Sequence, residues 1–345
     1  MNSKIPLISQ SHVKERGIFY VGGKKTGNEQ DQYYCNQMYV EVYTPQKKKH
    51  PYPIIMLHGA GQTAVNWLIT PDGRMGWADY FIAHGYEVYL AEQPARGRSA
   101  WHPEVNGKTM HHTIVSLERF TSNQGKWPQS KKHTQWPEGE EALEQFLSSQ
   151  VEYLPSNRDS QQLVLEAGRE LLKLIGPAIL MTHSQAGPFG WLLADDQPEL
   201  VKGIVALEPS GPPFSNDVTN PTVKNYGIAD LPLHFEPEIA GKEDLQVELW
   251  KASEEGLNNG WIMKEPYRKL PRLQGIPILL MVSESSYHAG YDHLTSKVLE
   301  QSGVEHDFVR LENIGIHGNG HMMMLEKNNL EIAKWIAGWL EKKGE

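Results

Sequence analysis

The segment Ala178-Ile179-Leu180-Met181-Thr182-His183-Ser184-Gln185-Ala186-Gly187 reads as a buried strand, a sharp turn and the start of a helix. A serine at such a turn stands above the sheet edge with its hydroxyl exposed, as a nucleophile requires. Small residues must flank it two places before and two after, because the strand and helix backbones nearly touch there. Glycine is usual at both places. This chain has Thr182 and Ala186 instead, with Gly187 one position later, so a strict G-x-S-x-G search passes over it. A serine here also suits an ordinary helix N-cap. The turn must therefore be read together with what a nucleophile needs: a base, an acid to orient it, and donors for an oxyanion.

The donors have a candidate in Ile54-Ile55-Met56-Leu57-His58-Gly59-Ala60-Gly61-Gln62, a buried strand running into a His-Gly turn. Such a turn supplies one backbone N–H, and the residue after the nucleophile supplies the other. That assigns Ala60 and Gln185. The same stretch also fits a dinucleotide fingerprint, G-x-G-x-x-A, over Gly59 to Ala64. The fingerprint wants an acid about 20 residues on, whereas the acid at the next strand end is Glu92, farther along, and a dinucleotide site has no use for the serine turn. No Walker A loop is present: Gly17 and Gly22 have the right separation, but Gly23 stands where the lysine must be.

The base belongs after the last strand, where Asn313-Ile314-Gly315-Ile316-His317-Gly318-Asn319-Gly320-His321 offers two histidines. His321 is preferred, since Gly318 and Gly320 leave room to aim its ring and Met322–Leu325 is expected to begin the helix behind it. His317 reads as a loop residue, and His183, beside the nucleophile, as packed. His111–His112 and His288 with His293 lack a third ligand for a metal. Three carboxylates could serve as the acid that orients the imidazole. Glu284 and Asp292 follow the strand before the last, the commoner position. Glu208 ends the preceding apolar strand and is held by Pro209.

These groups need a scaffold that brings strand ends together. Short apolar runs bounded by turn signals predict strands at Tyr33–Tyr43, Pro53–Leu57, Tyr86–Leu90, Ala178–Met181, Gly203–Leu207, Pro277–Val282 and His306–Leu311. Helical patterns fall at Thr63–Leu68, Trp77–Ala83, Gln161–Leu174, Gln185–Ala194, Tyr291–Gln301 and Asn329–Lys342. Alternating strands and helices predict an α/β fold with a mainly parallel sheet flanked by helices. Two polar stretches, Trp101 to about Pro155 and Ser210 to about Arg272, break the rhythm. Long excursions in a compact domain read as cap-forming insertions, and Trp101, Trp127, Trp136, Trp250 and Trp261 suggest an aromatic pocket roof.

The chain of 345 residues is read as one domain of residues 1–345 with those insertions at 101–155 and 210–272. Its 33 basic and 42 acidic residues give a net charge of −9, which argues against nucleic acid or an anionic membrane as partner. No apolar run approaches the ~18 residues of a membrane helix. Cys35 is the sole cysteine, so an intrachain disulfide, a zinc ribbon and a CxxC motif are all impossible. With no continuous apolar stretch in Met1–His12, the expected location is cytoplasmic.

Taken together, the serine turn Thr182–Trp191, the stretch Leu207–Phe214, the Gly318–Leu325 stretch and the His58–Gln62 loop resemble the α/β-hydrolase superfamily. They are most similar to bacterial serine carboxylesterases that carry a Glu triad acid after the sixth strand. The resemblance spans about Tyr33 to Trp339. It implies an α/β-hydrolase fold, with Ser184 as nucleophile, His321 as base and Glu208 as acid, in the superfamily's chain order. The reading is acyl transfer on a small-molecule ester, which requires no cofactor or metal; a homodimer is the candidate assembly.

Overall fold

The structure is a computed structural model, and it describes residues 5–215 and 225–343. The long strands β1 (Val13–Thr26) and β2 (Tyr33–Pro45) form an antiparallel pair at one edge of the sheet. Next come β3 (Ile54–Leu57), α1 (Val65–Leu68), α2 (Trp77–Ala83) and β4 (Val88–Glu92). The first insertion carries the short helices α3 (Pro103–Asn106), α4 (Ile114–Thr121) and α5 (Glu140–Ser148). The chain then builds α6 (Asn157–Ile175), β5 (Ala178–His183), α7 (Gly187–Asp196) and β6 (Val201–Leu207). A separate two-stranded hairpin, β7 (Val247–Trp250) and β8 (Gly260–Met263), lies in the second insertion. The chain ends with β9 (Ile278–Val282), α8 (Asp292–Gln301), β10 (Asp307–Arg310) and α9 (Asn329–Lys343).

The eight-stranded sheet runs β1-β2-β4-β3-β5-β6-β9-β10, parallel from β4 to β10. Strands β3, β4, β5 and β9 are buried along their whole length, which is why they read as unbroken apolar runs rather than alternating ones. Alternate residues still choose faces. Ile55, Leu57 and Leu180 meet α6, α7 and α8 in one core, while Ile54, Met56 and Met181 meet α1, α2 and α9 in the other. Ile332, Ile336 and Trp339 are buried on α9 as the helical spacing requires.

Two features depart from the sequence reading. β1 was not anticipated, since most of its residues face solvent and its glycines and lysines break any apolar period. Gly17, Gly22 and Gly23 all lie in it, so they form a strand and not a phosphate loop. Met322–Leu325 forms turns, and the helix begins only at Asn329. Residues 216–224 of the second insertion lie outside the described residues.

The first insertion crosses the carboxyl ends of the strands. Val151 N–H donates to the Gly61 carbonyl at 2.9 Å, and Thr134 N–H to the Gly318 carbonyl at 3.0 Å. Much of the second insertion packs along the side of the sheet, where Gln161 of α6 binds the Asp230 carboxylate at 2.7 Å. Its tip reaches the first insertion, Gln129 donating to the Gly256 carbonyl at 2.6 Å. Among the described residues, no helix is long and apolar enough to cross a membrane.

Candidate active site

Ser184 sits between β5 and α7 with φ of 55°, the left-handed region that side chains other than glycine rarely adopt. The chain has redistributed its small residues around this turn. A Cβ on Gly187 would come within 2.2 Å of Pro209, and one on Gly190 within 3.3 Å of the Thr182 methyl. The close approaches that glycines usually meet on either side of the serine are thus met inside α7, which leaves room for Thr182 and Ala186.

Glu208 and His321 lie beside this turn, both fully buried. His321 Nδ1 is 2.5 Å from Glu208 Oε2. The same oxygen accepts the Ser286 hydroxyl at 2.6 Å, and Oε1 accepts Ser283 N–H at 2.7 Å. With Nδ1–H donated to the carboxylate, Nε2 is left as the basic nitrogen. The Tyr287 hydroxyl lies 3.3 Å from Nε2. Burial works to raise the Glu208 carboxyl, while His288 and the Ser286 and Ser283 donors oppose the rise and favour the carboxylate. Burial, with His183, His288, Arg119 and His112 around it, holds the His321 imidazole well below its ordinary range, so the ring rests neutral.

The other candidates have separate partners. Glu284 accepts from Lys132 Nζ at 3.1 Å and Gly318 N–H at 3.0 Å, and lies 3.2 Å from His317 Nδ1. Asp292 is paired with His288 Nδ1 at 3.0 Å. His183 is buried and binds the His321 carbonyl through Nε2 at 2.9 Å; burial pushes it down to about 3, so it is a neutral packing group. Glu208, His288 and His321 have the spacing of a metal-ligand set among the described residues. His321 Nδ1 is instead engaged with Glu208, and His288 Nδ1 with Asp292.

The loop after β3 packs directly on the serine: a Cβ on Gly59 would lie 3.0 Å from Ser184 Cβ. His58 Nε2 accepts Gln93 N–H at 3.3 Å, so its Nδ1–H donates to the Gly59 carbonyl at 3.0 Å. Arg96 Nη1 donates to the same carbonyl at 3.2 Å, and Nη2 to Gln185 Oε1 at 3.3 Å. Because the peptide is planar and trans, holding the Gly59 carbonyl turns the Ala60 N–H the opposite way. Ser210 N–H likewise holds the Ser184 carbonyl at 2.8 Å and orients the Gln185 N–H. Arg96 is buried, and desolvation lowers it to about 9, still high enough to stay cationic at neutral pH.

The dinucleotide alternative fails on its own residues. A Cβ on Gly61 would strike the His112 ring at 2.5 Å, so the glycine turn is covered by the first insertion. Glu92 is taken by Arg98, with contacts of 3.0 and 2.7 Å.

The base loop is clamped from the first insertion. Glu326, fully buried, receives His133 Nε2 at 2.7 Å and Gly320 N–H at 2.8 Å on one oxygen, and Asn319 Nδ2 at 2.7 Å on the other. Sequence reasoning missed Arg96, Tyr287, His133 and Glu326. Arg96 and Tyr287 do follow the carboxyl ends of β4 and β9, where sites of open α/β sheets gather.

Comparison with known proteins agrees with this architecture. A family profile described as "Alpha/beta hydrolase family" matches residues 54–335. A fungal protein named "Probable secreted lipase phiG" is 42% identical over 333 residues, covering 94% of this chain and 89% of its own. A solved structure described as a novel bacterial esterase superposes with a TM-score of 0.72 at 23% identity, covering 99% of both chains. The expected cytoplasmic location is corrected by the fungal relative, whose name points to an extracellular one. That expectation rested on a lone cysteine and a polar first segment, and a secreted protein needs no disulfide when its core is large enough.

Proposed function

The chain belongs to the alpha/beta hydrolase family, and from that premise we propose that it hydrolyses carboxylic esters of small molecules by a Ser184-His321-Glu208 triad. The observation that carries this reading is the 2.5 Å contact of His321 Nδ1 with the Glu208 carboxylate, which leaves Nε2 as the basic nitrogen. His321 Nε2 takes the Ser184 proton as Oγ attacks the ester carbonyl, and Glu208 supports the imidazolium that forms. The Ala60 and Gln185 N–H groups receive the oxyanion, their peptides held by Arg96 and Ser210. The leaving alcohol takes the proton from Nε2, and water then releases the acid from Ser184 by the same route in reverse.

The first insertion, 101–155, acts as the cap that selects the ester, and the tip of the second, 210–272, braces it. Phe120 of α4 stacks on the His321 ring with centroids 5.1 Å apart, and Trp127 donates to the Ser285 carbonyl at 2.9 Å. The lipase relative's name supports an extracellular working place for this chain as well.

A fluorophosphonate probe tests the reading. Wild type is expected to label on Ser184 and to turn over p-nitrophenyl esters. Ser184→Ala is expected to keep its circular dichroism spectrum, lose labelling, and retain only the about 10³–10⁴-fold advantage over water that binding and the oxyanion donors supply. Labelling at another serine removes Ser184 from its role. A folded wild type that never labels is a ligand-binding protein.

A further inference from the structure

We propose that the Tyr287 hydroxyl is a further catalytic group that donates a hydrogen bond to the leaving-group oxygen; this rests on the Ser184 and His321 assignment above. Tyr287 Oη lies 3.3 Å from His321 Nε2, and the Ser184 side chain is among the groups that act on its phenol. Those are the two groups between which the catalytic proton moves. The proton that reaches Nε2 must pass to the departing oxygen, so that oxygen has to come within hydrogen-bond reach of Nε2. A hydroxyl 3.3 Å from Nε2 therefore borders the space it occupies. The two backbone donors for the carbonyl oxygen come from the loop after β3 and the turn before α7, whereas Tyr287 comes from the turn after β9.

The hydroxyl is held in that position by its surroundings. Its neighbours in sequence are both fixed, Ser286 on the Glu208 carboxylate at 2.6 Å and His288 stacked on the His321 ring with an interplanar angle of 11°. The Tyr287 ring meets Trp127 edge-on at 6.0 Å and lies under the Arg119 guanidinium at 5.4 Å. Burial raises the phenol above its ordinary range, so it keeps its proton and has an O–H to donate.

The step balances without a further reactant. Ser184 Oγ forms a bond to the carbonyl carbon as its proton moves to Nε2. When the tetrahedral adduct collapses, the bond from carbon to the alcohol oxygen breaks and its electron pair stays on that oxygen. Nε2–H then gives the proton to it, yielding the free alcohol and acyl-Ser184. Tyr287 stabilises the negative charge on that oxygen before the proton arrives and returns unchanged.

A group that helps the leaving oxygen matters most when the alcohol is a poor leaving group. The experiment is kcat/KM, which reports acylation, for p-nitrophenyl, phenyl, trifluoroethyl and ethyl acetate with wild type and Tyr287→Phe. The nitrophenyl ester is expected to change by no more than about 3-fold, and the ethyl ester to fall by about 10²-fold, the usual scale for one positioned donor. A loss that is uniform across the series, or no loss, overturns the proposal, because a tyrosine that only packs against His321 would affect every ester alike. Should Tyr287→Phe fail to fold, difluorotyrosine at position 287 gives the converse reading: a more acidic donor flattens the leaving-group slope, and an unchanged slope overturns the proposal. Fluorophosphonate labelling of wild type separates the two layers. Labelled Ser184 with an unchanged slope removes Tyr287 alone, whereas unlabelled Ser184 removes the triad reading and Tyr287 with it.

Discussion

The Ser286 hydroxyl donates to Glu208 Oε2 at 2.6 Å, the oxygen that also faces His321 Nδ1. Ser286 belongs to the turn after β9, where the orienting acid of this fold more commonly lies. In this chain that turn supplies donors instead. Ser283 N–H and Ser286 Oγ fix the Glu208 carboxylate, Tyr287 approaches Nε2, and the His288 ring lies flat on His321. Glu208, one residue past β6, has a φ of 45°, so it and Ser184, one residue past the neighbouring β5, both hold left-handed backbone.

Glu208→Gln should therefore lower kcat by up to about 10⁴-fold, since an amide in that position favours the wrong imidazole tautomer. Glu284→Gln and Asp292→Asn remove groups engaged with Lys132, His317 and His288, and should cost far less. Steady-state kinetics on the three variants, with folding checked by circular dichroism, decide the matter. A Glu208→Gln variant of near wild-type rate beside an inactive Glu284→Gln would transfer the role.

The sheet, the strand-to-helix turn at Ser184 and the stretch that carries His321 were legible because each leaves a local mark: an apolar run, a sharp turn, a glycine-flanked histidine. The supporting groups leave none. Arg96 reads as one arginine in a polar loop, and nothing in its neighbours announces that it reaches the carbonyl of Gly59, 37 positions earlier. His133 and Glu326 stand 193 positions apart. Their pairing is a property of the packed fold and not of either segment. β1 escaped notice for the opposite reason, as a solvent-facing edge strand needs no apolar pattern to pair with β2.

Arg96 offers a test of the oxyanion loop. Its guanidinium holds the Gly59 carbonyl at 3.2 Å, the Gln93 side chain at 3.3 Å and the Gln185 side chain at 3.3 Å. Lysine cannot span that fork. Arg96→Lys is expected to lower kcat by about 10²-fold, the scale of one lost oxyanion donor, while KM changes little. An equal loss carried by KM with kcat intact would mean that Arg96 serves binding and not the orientation of the Ala60 amide.

The His133–Glu326 pair should make the attachment of the first insertion depend on pH. Burial works to lower His133, but the Glu326 hydrogen bond and charge outweigh it and raise the imidazole above its ordinary value. A group raised on folding contributes stability that is complete below its unfolded value of about 6.5 and is lost as pH rises through the folded value. The gap in thermal midpoint between wild type and His133→Gln should thus be widest at mildly acid pH and narrow as the solution becomes alkaline. A gap independent of pH would mean that the pair acts as a neutral hydrogen bond. Glu326→Gln strands the imidazole and loosens Gly320, so a loss of about 3 kcal/mol is expected from chemical unfolding.

The last prediction concerns the serine's own backbone. With φ at 55°, Ser184 occupies a conformation that costs a residue bearing a Cβ about 1–2 kcal/mol. Alanine keeps the Cβ and hence the strain, whereas glycine adopts this region freely. Both Ser184→Ala and Ser184→Gly abolish the nucleophile, so activity cannot tell them apart, but stability can. Glycine usually destabilises a folded chain through its greater freedom when unfolded, by about 0.5–1 kcal/mol relative to alanine. At this position relief of strain should offset or exceed that cost. Ser184→Gly is accordingly expected to unfold at a denaturant midpoint equal to or above that of Ser184→Ala, with the same slope. A glycine variant less stable than alanine by the usual margin would mean that the turn carries no strain at Ser184, and that the exposed stance of its hydroxyl is reached without stored energy.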